Sequence, residues 1–299
     1  MNHAISTDIL EQFDVPGPRY TSYPTADRFV EAYGEPQYLH ALQERQLTSR
    51  GKFSPLSLYV HIPFCESLCY YCACNKIITG QYQRAIDYLA DLDKEVNLLM
   101  PHLGPAQVVS QVHLGGGTPT FFRDKELHQL MGLLQSRFQW QKGGEFAIEV
   151  DPRTVDGQRL QTLWSLGFNR LSLGVQDFDP QVQEAVHRVQ SVDQVRGLMD
   201  RAREIGFSSI NLDLIHGLPR QTMKSWQRTL DQLLTLKPDR LALYGYAHLP
   251  ARFKPQRHID VSLLPTGHQK TQMLATALDT LQQAGYVYIG MDHFALPDD

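Results

Sequence analysis

The chain of 299 residues alternates short apolar runs, rich in β-branched residues, with longer amphipathic segments. The runs have the length of strands, and the amphipathic segments have the length and periodicity of helices. Strands separated by helices predict a parallel sheet with right-handed crossovers. The predicted strands are 56–63, 109–114, 145–150, 170–175, 210–215 and 240–246, and the clearest predicted helices are 82–100, 193–206 and 222–237. Six such units predict the α/β class and a full or partial β/α barrel, with a doubly wound open sheet as the alternative.

The predicted strands end in clusters of polar residues, glycine and proline. These clusters read HIPFC, GGGTPT, EVDP, GVQDF, DLIHGLP and YGYAHLP in chain order. Gly, Pro and Asp also make ordinary turns between strands and helices, which would explain one or two clusters but less readily six. In parallel α/β folds, active sites lie at the carboxyl edge of the sheet. We therefore expect the functional site at this edge.

The two ends of the chain flank the predicted barrel. Residues 1–50 are predicted to be an extension that contributes to the active site, and residues 51–265 are predicted to form the barrel. Residues 266–299 contain a helix-like segment, the strand-like YVYIG and then a polar tail, MDHFALPDD, in which we expect no further element. We interpret them as the start of an interrupted C-terminal region.

Charge and hydropathy exclude several classes of function. The formal net charge of −4 gives no general attraction to nucleic acid phosphates, and no segment has the apolar length of a membrane span. The N-terminus lacks the basic start and apolar run of a secretory signal. These features favour a cytoplasmic protein.

All four cysteines of the chain lie in one stretch, HIPFCESLCYYCACNK, at positions 65, 69, 72 and 74. Disulfides are uncommon in a reducing compartment, and four thiols this close would not easily form two relaxed bridges. A structural zinc site usually draws two ligand pairs from separate segments, whereas these thiols share one. Iron–sulfur clusters are held by cysteine thiolates, so the stretch favours an iron–sulfur site over zinc.

The spacing Cys65-ESL-Cys69-YY-Cys72, directly after a predicted strand, resembles the signature of the radical SAM enzymes. The resemblance implies that these three cysteines hold a 4Fe–4S cluster whose fourth iron binds S-adenosylmethionine (SAM). An electron from the cluster then cleaves SAM and releases a 5′-deoxyadenosyl radical. If Cys74 were a fourth ligand, no iron would remain open for SAM. We therefore expect another role for Cys74, which the sequence leaves open.

The chain as a whole resembles the family of oxygen-independent coproporphyrinogen III oxidases. The matching stretches are PGPRYTSYPTA, LYVHIPFCESLCYYCACNKIIT, VHLGGGTPT, IEVDPR, GFNRLSLGVQDF, REIGFSSINLDLIHGLPRQT, YAHLP and GMDHFALPDD. The resemblance implies an incomplete (β/α)6 radical SAM barrel with an N-terminal extension and two bound SAM molecules. It also implies the oxidative decarboxylation of coproporphyrinogen III to protoporphyrinogen IX in haem biosynthesis. An electron donor such as flavodoxin or ferredoxin and a monomeric state are expected.

The resemblance assigns candidate binding residues by position. It places one group at the SAM on the cluster and a second group at the other SAM. The first group is Tyr59, Gly116 and Glu149, and the second is Tyr71, Gly117, Thr118, Gln176, Arg188, Asp213 and Ala247. Taken one at a time, Glu149, Asp213 and Arg188 are also typical of a salt-bridging carboxylate, a capping aspartate and a surface arginine.

The candidate catalytic residues are Tyr59 and Arg19. Arg19 lies in GPRYTSYP, a segment that is otherwise hard to explain, and would pair with the propionates of the substrate. Histidines near the strand ends, including His61 and His113, are expected to be hydrogen-bonded structural residues. None of them is predicted to bind iron.

Three other functions remain as alternatives. A haem chaperone of the same superfamily would bind and deliver haem without decarboxylation, although the fourth cysteine and PRYTSYP favour the oxidase. A zinc-stabilised binding protein is the second alternative, and a tRNA-modifying radical SAM enzyme, which the acidic balance disfavours, is the third. Family members continue into a mainly helical C-terminal domain that is missing here. We therefore expect this chain to hold a cluster but to turn over poorly.

Overall fold

The computed structural model describes residues 12, 24–25, 28–48, 55–104 and 107–299. The predicted substrate residue Arg19 lies outside the described residues. The strands are β1 (Leu56–Ile62), β2 (Phe64–Cys65), β3 (Ile77–Ile78), β4 (Val108–Gly116), β5 (Gln139–Val150), β6 (Arg170–Gln176), β7 (Ser209–His216), β8 (Arg240–Gly245), β9 (Val287–Gly290) and β10 (His293–Ala295). The helices are α1 (Glu35–Thr48), α2 (Gln83–Leu103), α3 (Asp124–Arg137), α4 (Gly157–Ser165), α5 (Pro180–Ala185), α6 (Val192–Ile205), α7 (Met223–Leu236) and α8 (Gly267–Gln283). Short 3₁₀ turns cover Pro119–Phe121, Lys254–His258 and Val261–Leu263.

Within the described residues, the main sheet contains eight strands in the order β1-β4-β5-β6-β7-β8-β10-β9. The five strand pairs β1–β4, β4–β5, β5–β6, β6–β7 and β7–β8 are all parallel. Predicted strands that follow one another in the sequence are therefore adjacent in the sheet. Among the described strands, the two edges of this sheet, β1 and β9, do not pair with each other. The α/β prediction of a partial parallel barrel is confirmed.

The parallel strands bury alternate side chains because successive residues of a strand point to opposite faces. In β7, for example, Ile210, Leu212 and Leu214 are buried in the apolar core, together with the fully buried Trp226 of α7. The residues between them, such as Asp213, face the concave side of the sheet and are only partly buried. The same period therefore places the helices on one face and polar side chains on the other.

Residues 287–295 extend the sheet by two strands, which contradicts the expected polar tail. Strands β9 and β10 form an antiparallel hairpin, and β10 pairs antiparallel with β8. The turn uses Met291 and Asp292, both with positive φ (49° and 70°). Phe294 is only 1% exposed and anchors the hairpin in the core. The prediction was wrong because a single buried aromatic fixes a strand of three residues, which is too short for periodicity to show.

A cluster of ion pairs lies where strands β6 and β8 begin, at the opposite edge from the predicted site. Arg170 Nη1 is 2.5 Å from Glu145 Oε2, and Arg170 Nη2 is 2.9 Å from Asp299 Oδ2. Arg240 Nε also donates to Asp299 Oδ2. We call Glu145, Arg170, Arg240 and Asp299 the basal ion cluster. It joins the final residue of the chain to the amino ends of two central strands.

In the regions with described coordinates, no helix combines the length and the apolar character that a membrane crossing requires.

Candidate active site

The cysteine segment is held at the carboxyl edge of the sheet. Strand β2, which ends at Cys65, follows β1 after a single residue and pairs with β3 across the loop that carries the other three cysteines. The loop is tied to the barrel by Tyr70 N, which donates to Val186 O at 3.0 Å, and by a 2.7 Å bond between His187 Nδ1 and Leu68 O. The thiols therefore lie at the predicted edge.

Each of the three predicted cluster ligands has a different partner. The Thr118 hydroxyl donates to Cys65 Sγ at 3.4 Å, and Arg188 Nη1 donates to Cys69 Sγ, also at 3.4 Å. The Cys72 thiol is hydrogen-bonded to that of Cys74. Across the described part of the chain, no three His, Cys, Asp or Glu side chains converge as a ready-made metal site. Ligation by these cysteines stays a prediction.

The charges around the thiols fit a thiolate-bound cluster. The hydrogen bond from Cys74 and the nearby Lys76 ammonium lower the pKa of Cys72 to about 6, against the effect of burial. The same bond, together with burial, raises the pKa of Cys74. Lys76 Nζ also donates to Cys72 O at 3.0 Å, so its charge is fixed beside the loop. The loop thus supplies an acidic thiol next to a thiol that stays protonated, consistent with separate roles for Cys72 and Cys74.

The glycine-rich end of β4 packs tightly against the segment that enters the cysteine loop. Gly116 has φ +116°, and a Cβ there would lie 2.8 Å from the His61 ring. A Cβ on Gly117 would lie 2.8 Å from the carbonyl oxygens of Pro63 and Phe64. Side chains are excluded at both positions by the chain itself. The predicted approach of this backbone to SAM remains a prediction.

Glu149, Tyr59 and two histidines form one wall of the concave face. Gly116 N donates to Glu149 Oε2 at 3.2 Å, and His113 Nε2 lies 3.0 Å from Glu149 Oε1. The Tyr59 ring stacks on His113 at 5.8 Å, and its hydroxyl lies 3.0 Å from His61 Nδ1. Burial and the charge of Glu149 raise the pKa of Tyr59 to about 12. The structure thus brings all three members of the first predicted group together, and both histidines are hydrogen-bonded as expected.

Asp213 lies on β7, separated from Glu149 of β5 by the strand β6. Asn211 Nδ2 donates to Asp213 Oδ1 at 2.7 Å, and Ser172 Oγ lies 3.4 Å from the same oxygen. Burial, reinforced by the charge of Glu149, raises the pKa of Asp213 to about 7, although Asn211 and Arg188 oppose this shift. The carboxyl group therefore changes its charge near neutral pH.

The Arg188 guanidinium is held by protein groups. Its Nε and Nη2 donate to Gly174 O at 3.0 and 2.7 Å, and its Nη1 lies 3.2 Å from Asp151 Oδ2. The side chain is 8% exposed. Gln176 is the last residue of β6, the strand that also contains Gly174. Its φ is +72°, and the pairing register between β6 and β7 shifts at this point. Both residues lie at the carboxyl edge, but their predicted contact with a second SAM is untested.

The remaining predicted residues, Tyr71 and Ala247, are linked by the side chain of Gln256. Gln256 Nε2 donates to Ala247 O at 3.1 Å and to Tyr71 O at 3.2 Å. Burial raises the pKa of the Tyr71 phenol well above its usual value, and the ring packs in a small apolar cluster with Val186 and Leu218. The structure thus links the loop after β8 to the cysteine loop.

Two residues beside the thiols were missed as site residues by the sequence reasoning. Arg153 Nη2 donates to Asp151 Oδ2 at 2.7 Å and to Ser67 Oγ at 3.1 Å, and lies 3.8 Å from Cys69 Sγ. Arg153 also lines an open cavity of about 780 Å³, together with Glu66. The sequence signal was the charged pair in IEVDPR at the end of a predicted strand.

Comparison with known proteins gives consistent results. The sequence signature of the Radical SAM superfamily matches residues 59–233. The chain is 51% identical over 294 residues to the oxygen-independent coproporphyrinogen III oxidase of Pseudomonas aeruginosa. The aligned region covers 98% of this chain and 63% of that protein. It is 48% identical over 291 residues to the enzyme of the same name from Escherichia coli, covering 97% of this chain and 62% of that protein.

A solved structure shows the same similarity in three dimensions. It is that of coproporphyrinogen III oxidase from Escherichia coli, described as a radical SAM enzyme, with a TM-score of 0.87 and 48% identity over 94% of this chain and 63% of that chain. The chain thus spans somewhat less than two thirds of the length of these relatives. The signature covers more than half of the chain and includes the cysteine loop, so the chain belongs to the radical SAM superfamily.

Proposed function

We propose that the protein carries out the oxygen-independent oxidative decarboxylation of coproporphyrinogen III to protoporphyrinogen IX. The observation that carries the proposal is the position of the cysteine loop, at the same sheet edge as Glu149 and Asp213. The names of relatives 48–51% identical to the chain support this substrate. The two propionates that react would become vinyl groups.

The proposed cofactor is a 4Fe–4S cluster held by Cys65, Cys69 and Cys72. When bound, the cluster supplies the electron that cleaves SAM. The acidic thiol of Cys72 and the arginine donor on Cys69 favour thiolate ligation. Tyr59 and Glu149 would then hold SAM: the carboxylate accepts from hydroxyl groups, and the phenol, with its raised pKa, stays neutral and donates.

We propose that a second SAM binds beside the first. The resemblance assigns to it Tyr71, Gly117, Thr118, Gln176, Arg188, Asp213 and Ala247. Support comes from Gln176 at the carboxyl end of β6 and from Thr118, which donates to Cys65 Sγ. Arg188 would need to exchange part of its bonding to Gly174 O to reach a ligand carboxylate. The ratio of bound SAM to protein, measured with a non-cleavable analogue, tests this stoichiometry.

The remaining partners are proposals of the same kind. Arg19 would pair with the propionates of the substrate. A small flavodoxin or ferredoxin would donate the electron, and the chain would act as a monomer. The four unpaired thiols suit a reducing compartment, so we place the reaction in the cytoplasm.

Anaerobic reconstitution tests the function. Iron, sulfide and zinc are counted, and SAM cleavage is followed with and without coproporphyrinogen III. Deuterium at the propionate β-carbon should appear in 5′-deoxyadenosine, because that carbon loses a hydrogen to the adenosyl radical.

Three results would contradict the proposal. Absence of the label from 5′-deoxyadenosine would exclude the hydrogen transfer. Tight stoichiometric haem binding without decarboxylation would indicate a haem chaperone. Zinc without iron would indicate a structural metal site.

A further inference from the structure

Two arginines converge on the sulfur of one predicted ligand. Arg188 Nη1 lies 3.4 Å from Cys69 Sγ, and Arg153 Nη2 lies 3.8 Å from it. The two guanidinium groups come from separate connections, one after β5 and one after α5. Within the described residues, Cys65 and Cys72 have no arginine donor at the sulfur in this structure.

Asp151 holds both arginines in place. Its Oδ2 accepts from Arg153 Nη2 at 2.7 Å and from Arg188 Nη1 at 3.2 Å. Its Oδ1 accepts from Arg153 N and Nε, both at 3.0 Å. Asp151 and Arg188 are each only 8% exposed. One carboxylate therefore fixes two cations, and the group keeps one positive charge in excess beside Cys69.

A fixed positive charge near a cluster ligand favours the reduced, more negative form of the cluster. Its effect is large where water is excluded, because the effective dielectric constant is low. Hydrogen bonds and charges near the sulfurs are among the features that set iron–sulfur potentials. The excess charge near Cys69 thus opposes the low potential that three thiolates and four sulfides would impose.

We propose that Asp151 and Arg153 are positioning residues that, with Arg188, raise the reduction potential of the cluster through Cys69. The inference rests on the proposed cluster. It deepens that proposal, because a raised potential makes the cluster easier for the electron donor to reduce. The three residues touch a ligand sulfur or one another, and the resemblance assigned a role to Arg188 alone.

The test is the midpoint potential of the reconstituted cluster, measured by redox titration with electron paramagnetic resonance detection. Arg153→Gln removes one positive charge and should lower the ratio of reduced to oxidised cluster at least tenfold at a fixed applied potential. This corresponds to about 59 mV for a one-electron couple. Asp151→Asn removes the negative charge and should shift the potential in the opposite direction.

Two further variants serve as controls. Arg153→Lys keeps the charge and should stay close to the unmodified protein. Arg201→Gln removes an exposed arginine on α6, paired with Glu204 at 3.0 Å, and should leave the potential unchanged. A purely structural role for Asp151 and Arg153 would change the stability of the fold without this opposed pair of shifts.

The outcomes separate the two proposals. If the cluster is loaded and its potential is unchanged in Arg153→Gln and in Asp151→Asn, or shifts in the same direction in both, this inference alone is overturned. If Arg153→Gln takes up no iron, a positive shift in Asp151→Asn without one in Arg153→Lys supports the inference, and any other pattern overturns it. If the unmodified chain takes up no iron, the cluster proposal fails and this inference fails with it.

Discussion

Asp213 is a carboxyl group whose surroundings favour its neutral form. Its pKa is raised to about 7 by burial and by the charge of Glu149. An unfolded chain would have a pKa near 3.9 at this residue. Between these two values the folded protein binds a proton that the unfolded chain does not. Stability should therefore fall as the pH rises from about 4 to about 7.

Asp213→Asn should remove this part of the pH dependence. The difference in free energy of unfolding between variant and parent should favour the variant by up to about 4 kcal/mol at pH 8, and should vanish near pH 4. Urea unfolding at pH 5 and pH 8 measures the effect. Asp200→Asn, at an exposed position on α6, is the control and should follow the parent. Equal pH slopes for Asp213→Asn and the parent would contradict the raised pKa.

The four cysteines differ in their surroundings and should differ in the effect of substitution. Serine at position 65, 69 or 72 should reduce bound iron several-fold after anaerobic reconstitution, because a thiolate ligand is lost. Cys74→Ser should retain iron, since the three predicted ligands stay in place and the serine hydroxyl can still donate to Cys72. Iron and sulfide per chain are the measurement. Loss of iron in Cys74→Ser equal to that in Cys72→Ser would contradict the assignment of three ligands.

At the scale of elements, the end of β4 depends on glycine. Gly116→Ala should reduce the free energy of unfolding by about 2 kcal/mol, because φ is positive and the new methyl group would meet the His61 ring. That ring is held by Tyr59 and by Asn75 O, so it cannot move freely.

Gly132→Ala is the matched control. Gly132 lies on α3 with no atom within 4 Å of an added Cβ, and alanine should stabilise the helix by about 0.5–1 kcal/mol. Thermal unfolding of both variants measures the difference. A neutral Gly116→Ala would show that the strand end adapts.

The sequence predicted the elements that follow a regular period. The helices around 82–100, 193–206 and 222–237 were confirmed within a few residues as α2, α6 and α7. Strand β5, however, begins at Gln139, six residues earlier than expected from 145–150, because Val108 and Val109 pair with Gln139 and Trp140. Residues 141–144, QKGG, have a sequence typical of a turn. In the structure, Gly143 with a φ of +73° instead makes a bend inside the strand.

At the scale of the whole molecule, the basal ion cluster joins parts of the chain that are far apart. Arg170→Met should reduce the free energy of unfolding by about 2 kcal/mol, because it removes the more buried of the two arginines that pair with Glu145 and Asp299. Asp299 is 11% exposed, and the nearby arginines and Ser209 lower its pKa in spite of burial. The contribution should therefore be present above about pH 4 and be lost as the pH falls through the lowered pKa.

Controls separate this network from an ordinary surface pair. Arg201→Met removes an exposed pair and should change stability by less than about 0.5 kcal/mol. The double variant Arg170→Met with Asp299→Asn should lose less than the sum of the single variants, because the two residues form a direct ion pair that either substitution already removes. Additive losses would show that the two residues act independently.

The sequence predicted candidate site residues from their positions near strand ends. It did not predict contacts that depend on the direction of a side chain. Glu149 and Asp213 follow from their positions at the carboxyl edge. The convergence of Arg153 and Arg188 on Cys69 does not, because these residues lie 84 and 119 positions from that cysteine in sequence. Only the folded chain shows that one aspartate holds both.

The ion pair between Arg170 and Asp299 spans 129 residues of sequence. A ribosome therefore releases the guanidinium group long before its carboxylate, and β8 emerges before β10 can cover its edge. Until residue 299 is made, Arg170 and Arg240 have only the carboxylate of Glu145 from the basal ion cluster, and β8 is an unpaired edge of the nascent sheet. The nascent chain should thus be most prone to aggregation after β8 has emerged and before the β9–β10 hairpin covers it.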